Sequence, residues 1–517
     1  MLNVIRALVV LVLLFDAGAY MCRTWWLTRY PHELDYGEGI VLWQAAHVFT
    51  LREAYHPIQN FPYIVFHYPP LYHALSRVAG LIMGDLLQGG RALTFFCTLA
   101  SALTVAGIAW SAVPGSRTRR SMAALVAALL MLRTPSLTWA PNMRVDSTAI
   151  LLTLLGLFVV MKWDSHRATP IAAVLFVAAV FTKQTMIAAP LAAVSMLVVA
   201  GCVRRAVILV TTMVGLGLTV AVVLSTATDG EFLRHIIRYN QNPFSVRQLI
   251  YLLGQNLSEM AFVGLLALSL PLVLLGGRVS LLRTIRAWRN GEPARSGREW
   301  VALVTVTYAL FAFIVSFTAG KAGAWYNYFL EWNIVCCALA GIVVGRTWRQ
   351  SRGVRMGWSV ALVWLLVAAA AAGELRASRD YLRMVRGTSE SWNQRVQDAD
   401  LALEAVRSVK GPVLAEDMVL LVKAGKDIPW EHAIVTQLAN VGLWDETPAI
   451  AMLERRVFDL VVVRKLDQPQ RYTPTMRRAI EHGYYVAERI GESYVIMRPR
   501  LAEATPHDAP RRGAAKE

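Results

Sequence analysis

The chain has 517 residues, of which 56% are hydrophobic and 17% are charged, and its formal net charge is +17 at pH 7. Soluble domains carry about 25% charged residues, so this composition excludes a disordered chain and argues against a soluble enzyme. Long apolar stretches recur between Leu2 and Gly373, and they predict a polytopic membrane protein. The five cysteines have neither the spacing of metal ligands nor an even number.

The first apolar segment runs from about Leu2 to Tyr20. It is either a membrane span or a cleavable signal peptide, because the small residues Ala17–Ala19 resemble a cleavage site. Under both interpretations the chain after Tyr20 begins outside the membrane. We therefore predict an exoplasmic first loop with juxtamembrane helices at residues 21–90.

Ten further apolar stretches predict membrane spans after this loop, which makes eleven in total. They lie near residues 91–111, 121–140, 147–162, 170–182, 186–202, 206–228, 249–276, 300–319, 327–345 and 356–373. The apolar segment 69–84 is short and carries His73 and Arg77. It either re-enters the membrane or crosses it, and crossing would change the count.

Alternate connections between these spans differ strongly in basic residues, which predicts the topology. The basic set contains Arg117, Arg119, Arg120, Lys162, Arg167, Arg204, Arg205, Arg278, Arg283, Arg286, Arg289, Arg295, Arg298, Arg346, Arg349, Arg352 and Arg355. The opposite set contains Arg144, Lys183, Arg234, Arg238, Arg247 and Lys321. Short cytoplasmic loops hold the excess of Lys and Arg, so the basic set is predicted inside and both the first loop and the C-terminus outside. The excess of basic residues thus indicates the membrane topology, and no nucleic-acid partner is expected.

The sequence changes character after Gly373. Residues 374–408 have a polar helical pattern, and later segments alternate between strands and helices. Strands are predicted at 412–417, 458–464, 484–490 and 493–499, with helices near 446–456 and 474–482. The predicted fold is an all-α polytopic membrane domain at 1–373 followed by a small exoplasmic α/β domain at 374–499, with a disordered tail at 500–517.

Ionisable residues collect in five connections on the predicted exoplasmic side. They are Asp35 and Glu38, Arg144 and Asp146, Lys183 and Gln184, Arg234 and Arg238, and the stretch from Lys321 through Glu331. Ionisable residues at membrane depth are candidates for function, and their common level predicts one shared polar pocket.

The acidic pair lies in LDYGEGIVLW, at residues 34–43. If the chain is helical from Tyr36, Asp35 lies at the helix N-terminus and Glu38 lies on the same face. Two neighbouring carboxylates can act as a general base, metal ligands or hydroxyl acceptors. In the alternative, Asp35 only caps the helix and Glu38 is solvated. His67 and Tyr68 follow later, directly before a Pro-Pro helix start.

Five motifs in this order resemble the GT-C superfamily of membrane glycosyltransferases. They are the acidic pair, PPLY (69–72), PNMRVDS (141–147), FTKQT (181–185) and YNYFLE (326–331). The resemblance covers about residues 1–345 and is greatest to the protein O-mannosyltransferase and lipid A aminoarabinose transferase branch. It implies transfer of a sugar, hexosyl or pentosyl, from a polyprenyl-phosphate donor to a hydroxyl acceptor at the exoplasmic face of a bacterial-type plasma membrane. The implied partners are that donor, membrane lipids and an unidentified acceptor.

The resemblance also implies roles for individual residues. Asp35 corresponds to the catalytic base, and Glu38 is its acidic neighbour. The aminoarabinose transferases carry Glu-Lys before PPLY, where the Lys helps to hold the lipid phosphate, whereas this chain has His67 and Tyr68. The expected phosphate contacts are Lys183, Arg144, Arg238, His67 and Tyr68, with Lys321 as a further cation. The expected sugar or acceptor contacts are Asp146, Gln184, Tyr326, Asn327 and Glu331. A divalent metal is possible, but the sequence contains no secure ligand set.

Simpler interpretations stay open for several of these residues. Lys183 can be a snorkelling lysine. Arg144 and Asp146 can form a loop ion pair, or Asp146 can orient Arg144 toward a phosphate. Arg234 and Arg238, four residues apart on one helix face, can contact either the donor phosphate or anionic lipids.

Two other classes of protein are also compatible with the sequence. A secondary transporter has polar residues within its spans, although it places charges near the bilayer midplane and often contains paired repeats. Neither feature is visible here. A membrane-anchored binding or assembly protein would use the domain at 374–499 as its working part.

Overall fold

The computed structural model describes residues 2–134, 139–276, 297–348, 354–373 and 375–500. The predicted basic cluster at 278–295 and the predicted tail from residue 501 lie outside these ranges. Two compact units divide the chain. The membrane unit comprises Met1–Pro57 and Val65–Asn393, and the C-terminal unit comprises Ile58–Ile64 and Gln394–Glu517.

Helices form the regular structure of the membrane unit within the described ranges. Its first half contains α1 (Leu2–Thr28), α2 (Glu38–His47), α3 (Leu51–Ala54), α4 (Leu71–Met83), α5 (Leu86–Ala112), α6 (Arg117–Leu132) and α7 (Asp146–Lys162). Its second half contains α8 (Thr169–Val180), α9 (Ala188–Val199), α10 (Val203–Ala227), α11 (Glu231–Ile236), α12 (Val246–Glu259), α13 (Ala261–Gly276), α14 (Arg298–Ser316), α15 (Leu330–Thr347), α16 (Val354–Ala372) and α17 (Leu375–Val385).

Six segments of the described residues are long and apolar enough to cross a membrane, and a bent helix pair raises this number to seven. They are Asn3–Thr28, Leu86–Ala112, Val203–Ala227, Arg298–Gly320, Tyr326–Thr347 and Ser359–Val385. The chain is therefore an integral membrane protein. The count of eleven spans stays a prediction, because α8 and α9 have only 12 residues each.

The span predicted at 249–276 is bent in the structure, because α12 and α13 meet at an angle of 82°. Polar side chains of α12 form hydrogen bonds with neighbouring elements. Gln248 Nε2 donates to the carbonyl oxygens of Ala319 and Lys321 at 2.9 and 2.8 Å. Asn256 exchanges two buried amide hydrogen bonds with Asn333 of α15. Polar groups at membrane depth need protein partners. Here the partners are the backbone at residues 319–321 and the side chain of Asn333.

Helix α15 forms the centre of the bundle. The most apolar part of the segment Tyr326–Thr347 is 94% buried, whereas that of α10 is only 6% buried and faces outward. Gly341 allows α15 to approach α6 closely, since a Cβ there would lie 2.5 Å from the carbonyl oxygen of Ala123. Small residues at helix contacts are typical of membrane bundles.

The C-terminal unit contains a four-stranded sheet in the order β1-β2-β4-β3. The strands are β1 (Val413–Ala415), β2 (Leu460–Val463), β3 (Tyr484–Ile490) and β4 (Tyr494–Pro499), and the helices are α18 (Glu390–Ser408, which begins in the membrane unit), α19 (Met418–Lys423), α20 (His432–Asn440), α21 (Thr447–Glu454) and α22 (Pro474–Gly483). Strands β1 and β2 are parallel, and β4 is antiparallel to both of its neighbours. All four predicted strands and both predicted helices are confirmed, and the α/β character with them.

Two features of the unit boundaries differ from the sequence prediction. The units divide at residue 393, because α17 belongs to the membrane unit. The first-loop segment Ile58–Ile64 belongs to the C-terminal unit, where the Tyr63 amide donates to the Pro429 carbonyl at 2.8 Å. The Tyr63 ring packs 5.2 Å from the Trp444 ring.

Candidate functional site

Asp35 and Arg144, which are 109 residues apart, form an ion pair. The alternative in which Asp35 only caps the helix is wrong, since α2 begins at Glu38 and the Asp35 side chain pairs with Arg144. Gly37 makes this close approach possible, because a Cβ there would lie 2.5 Å from both terminal nitrogens of Arg144. The Arg144 guanidinium also lies 5.3 Å from the centre of the Trp139 ring. Asp35 is 27% exposed and Arg144 is 17% exposed, so a ligand can reach this pair.

Glu38 lies in a different environment from Asp35. Its side chain is wholly buried and forms a two-point ion pair with Arg91 of α5. The alternative in which Glu38 is solvated is therefore wrong. Its catalytic role stays a prediction that this enclosure disfavours, because a group closed to solvent meets no substrate. Sequence reasoning missed Arg91, although an arginine at the head of the apolar stretch 91–111 was a signal.

Lys183 and Asp146 form a second ion pair, with Lys183 Nζ 2.6 Å from Asp146 Oδ1. The proposed Arg144–Asp146 loop pair is thus wrong, and so is the snorkelling interpretation of Lys183, which is 3% exposed. Burial lowers the pKa of Lys183, but Asp146 and nearby tyrosines offset this, so the pKa lies above its ordinary value. Asn327 Nδ2 also donates to Asp146 Oδ1, at 3.2 Å.

Tyr68 lies within electrostatic reach of both ion pairs. Desolvation raises the pKa of Tyr68 to about 12, the Asp146 charge adds to this, and Lys183 and Arg144 oppose it. The phenol is therefore neutral at ordinary pH, and its hydroxyl makes no hydrogen bond to any residue that the structure describes. We call Asp35, Arg144, Asp146, Lys183 and Tyr68 the paired-charge site.

His67 is uncharged at the position where the aminoarabinose transferases carry a lysine. Desolvation lowers the pKa of His67 to about 4, and the nearby Arg144 charge acts in the same direction. The ring is therefore neutral at physiological pH, and its Nδ1 lies 3.3 Å from the Val65 carbonyl oxygen. The backbone of this segment is also fixed, because the His67 carbonyl accepts from the side-chain amides of Gln184 and Asn240, each at 3.1 Å.

No protein-family profile and no curated protein matches the chain. Among solved structures, ArnT from Cupriavidus metallidurans bound to undecaprenyl phosphate has a TM-score of 0.58 at 15% identity, covering 96% of this chain and 99% of ArnT. The apo state of the same ArnT gives 0.56 at 15% identity, covering 94% and 97%. The archaeal oligosaccharyltransferase AglB from Archaeoglobus fulgidus, in complex with an inhibitory peptide and a dolichol-phosphate, gives 0.46 at 11% identity, covering 95% and 75%.

ArnT is a lipid A aminoarabinose transferase of the GT-C superfamily. The chain has the GT-C fold. The superfamily resemblance that the ordered motifs indicated is therefore confirmed for the fold.

Arg234 and Arg238 are not arranged on this GT-C fold as their spacing suggested. Helix α11 ends at Ile236 and a 3₁₀ turn begins at Arg238, so Arg234 and Arg238 do not share an α-helical face. Arg234 pairs with Glu231 at 2.5 Å. Arg238 is exposed and forms no ion pair with a described carboxylate. The charge of Arg238 is therefore available to an external anion.

Asn327 and Glu331 also lie on different elements, because Tyr326–Phe329 is a 3₁₀ turn and α15 begins at Leu330. Asn327 joins the paired-charge site through Asp146, whereas buried Glu331 accepts from the Tyr308 hydroxyl at 2.9 Å. Tyr326 packs against α12, and no described contact joins it to the ion pairs.

The described residues contain no group of three or more His, Cys, Asp or Glu side chains that could hold a metal ion. Three acids of these loops and helix ends form ion pairs: Asp35 with Arg144, Glu38 with Arg91 and Asp146 with Lys183. We therefore assign no ligands to the divalent ion that the sequence left possible, and we derive no chemistry through one.

Proposed function

We propose that this chain is an inverting glycosyltransferase that moves a sugar from a polyprenyl-phosphate carrier to a hydroxyl acceptor at the exoplasmic membrane face. The observation that carries the proposal is the Asp35–Arg144 ion pair, a partly exposed carboxylate held against a guanidinium beside a neutral phenol. The GT-C fold supports it, as does undecaprenyl phosphate in the ArnT structure, which suggests the class of carrier.

Arg144 is the proposed contact for the donor phosphate. Its Nε is buried and has no hydrogen-bond partner among the described residues. An unpaired buried donor is costly, and phosphate oxygens match the planar donor fork of arginine. Tyr68 can donate its hydroxyl to the same group. Arg238 and Lys321, which form no ion pair with described carboxylates, can supply further positive charge at the rim.

Asp35 is the proposed general base. Its carboxylate takes the proton of the acceptor hydroxyl while that oxygen attacks the anomeric carbon. The bond between this carbon and the phosphate oxygen breaks, and polyprenyl phosphate leaves with the electron pair. Attack and departure occur on opposite faces, so the sugar configuration inverts. Because the phosphate gains negative charge as the bond breaks, fixed donors such as Arg144 stabilise the transition state.

The proposed sugar contacts are polar atoms that the fold leaves unpaired near these groups. Gln184 Oε1 is buried without a partner among the described residues. Lys183 and Asn327 both bond to Asp146 Oδ1, which leaves Asp146 Oδ2 for a sugar hydroxyl. Glu331 and Tyr326 are further candidates, although their contacts point to helix packing more than to the paired-charge site.

Membranes containing the full chain, supplied with a panel of labelled polyprenyl-phosphate sugars, test the activity. The variant D35N keeps the shape of the side chain but cannot take the proton, so transfer should fall ~10²–10⁴-fold. D164N is the matched control, because Asp164 also pairs with an arginine, Arg205. Near wild-type transfer by D35N would reject the base assignment. Solute uptake without covalent transfer would favour a transporter, and loss of partner recruitment alone would favour an assembly protein.

The sidedness of the site has its own test. We expect an impermeant maleimide to label T50C from outside and R167C from inside, since both side chains are exposed and lie on opposite predicted faces. A cysteine-free background removes labelling at Cys22, which is exposed in this structure. Labelling of both positions from the same side would overturn the exoplasmic placement. It would not bear on whether the ion pairs form.

A further inference from the structure

Four hydrogen-bond donors converge on the buried carboxylate of Glu38. Arg91 Nε donates to Oε1 at 2.9 Å, and Arg91 Nη2 donates to Oε2 at 2.7 Å. The remaining two donors are backbone amides: Met143 to Oε1 at 2.6 Å and Leu34 to Oε2 at 2.7 Å. A carboxylate without exposed surface that accepts four bonds is a rigid junction, because each bond restricts the others.

Each of these two backbone amides belongs to the residue just before a member of the exposed ion pair. Leu34 directly precedes Asp35, and Met143 directly precedes Arg144. One carboxylate therefore fixes the peptide units next to both members of the exposed ion pair. The Glu38 side chain thereby links the loop at residues 29–37 to the loop at residues 139–145.

Arg91 extends the junction to the end of α1. Its Nη1 donates to the carbonyl oxygens of Leu27 and Tyr30, and its Nη2 donates to that of His32 at 2.7 Å. With the two bonds to Glu38, all five guanidinium N–H groups are used. Carbonyls at a helix end need such donors, and here one arginine connects the end of α1 to the start of α2.

We propose that Glu38 and Arg91 are positioning residues that set the distance and orientation between Asp35 and Arg144. This inference rests on the proposed function, in which Asp35 and Arg144 meet the reacting atoms. Neither Glu38 nor Arg91 touches substrate, since both side chains have no exposed surface. Their effect reaches the reaction only through the loops that they hold. Misplacement of a reacting group by 1 Å can lower a rate ~10²-fold.

Kinetics of the full chain in nanodiscs separate positioning from stability alone. R91K keeps the charge but loses the two-point fork, and E38Q places an amide donor where four donors converge. Each should lower kcat at least ~10-fold at a temperature where the protein stays folded, with a smaller change in the donor KM. R346K is the matched control, because Arg346 also bridges a glutamate, Glu299, and a helix-end carbonyl, that of Ala112.

A double-mutant cycle tests whether the Glu38 side chain affects the rate through Asp35. If Glu38 acts through Asp35, E38Q should add less than ~3-fold to the loss in a D35N background. Full multiplication of the two losses would overturn the inference, and so would wild-type kcat in folded R91K and E38Q. If E38Q does not fold, E38Q combined with R91M removes the buried charge on both sides and takes its place.

Hydrogen exchange provides a readout that does not depend on activity. In the wild type the amides of Leu34 and Met143 should exchange slowly, and R91K should accelerate both together while R346K changes neither. An unchanged Met143 amide in R91K would overturn the positioning role. Wild-type protein that transfers sugar from no donor would instead reject the proposed function. Hydrogen exchange would then test only whether Glu38 and Arg91 fix the two loops.

Discussion

Lys183 Nζ lies 2.6 Å from Asp146 Oδ1, and both side chains are 3% exposed. The pair joins the turn after α8 to the first residue of α7, next to the partly exposed Asp35–Arg144 pair. The site therefore has two ion pairs with different access to solvent. The buried pair is suited to hold structure, and the exposed pair is suited to meet a ligand.

Removing one member of the buried pair should destabilise the protein more than removing both. K183M leaves the Asp146 charge without its partner, which typically costs ~3–5 kcal/mol, whereas K183M combined with D146N leaves no isolated charge. Thermal unfolding in detergent measures this difference. Equal melting temperatures for the single and double variants would contradict a coupled pair. If Asp146 also binds sugar, the double variant should melt near wild type but transfer poorly.

G37A should disturb the exposed pair without disturbing the backbone. Gly37 has φ −91°, which alanine adopts readily, and the three atoms nearest to an added Cβ all belong to the Arg144 guanidinium. We expect transfer to fall ~10²-fold through displacement of Arg144. G217A is the control, because nothing lies within 4 Å of a Cβ at that position in α10. Wild-type kcat in G37A would show that the reaction does not need this contact.

Acid should destabilise the chain partly through His235. Its Nδ1 accepts from the Phe66 amide at 2.9 Å and its Nε2 lies 2.8 Å from the His56 carbonyl, so the folded ring is neutral. Burial lowers the pKa of His235 to about 4, below its ordinary value near 6.5. Between these values the unfolded chain binds more protons, so stability falls as pH drops from about 6.5 to about 4, by up to ~1.4 kcal/mol per pH unit.

The measurement is unfolding of wild type and H235N at pH 7 and pH 5. H235N lacks a titrating ring, so its loss of stability between the two values should be smaller. An identical pH dependence in both proteins would assign the effect to other groups, such as His67, whose pKa is also lowered to about 4 by desolvation.

Tyr63 should stabilise the C-terminal unit even though it lies far in sequence from the rest of that unit. The side chain is 5% exposed and packs near Trp430 and Trp444. Y63A should therefore cost ~3–5 kcal/mol, as large aromatic truncations do. Protease sensitivity between residues 394 and 500 in the full chain provides the measurement. F61A is the matched control, because Phe61 is 51% exposed, and equal sensitivity of the two variants would contradict the packing role.

Patterns that act over short distances were predicted from the sequence. Apolar length identified the membrane helices, because spanning the hydrocarbon layer requires about 20 apolar residues. The four strands of the C-terminal unit were found because short β-rich runs there lie between turn residues. The order of motifs from LDYGEG to YNYFLE led to the GT-C fold, since each motif is weak and their order is specific.

Which charges meet was decided by the tertiary structure. Arg144 has Asp146 two residues away but pairs with Asp35, 109 residues away, while Asp146 pairs with Lys183. Spacing along the chain could not distinguish these pairings, nor reveal that Arg91 binds Glu38 or that α12 bends away from α13. Local sequence sets which elements form and which residues are apolar. The partner of a buried charge depends on how helices pack, because only packing brings distant loops to one place and removes the water that would otherwise solvate both ions.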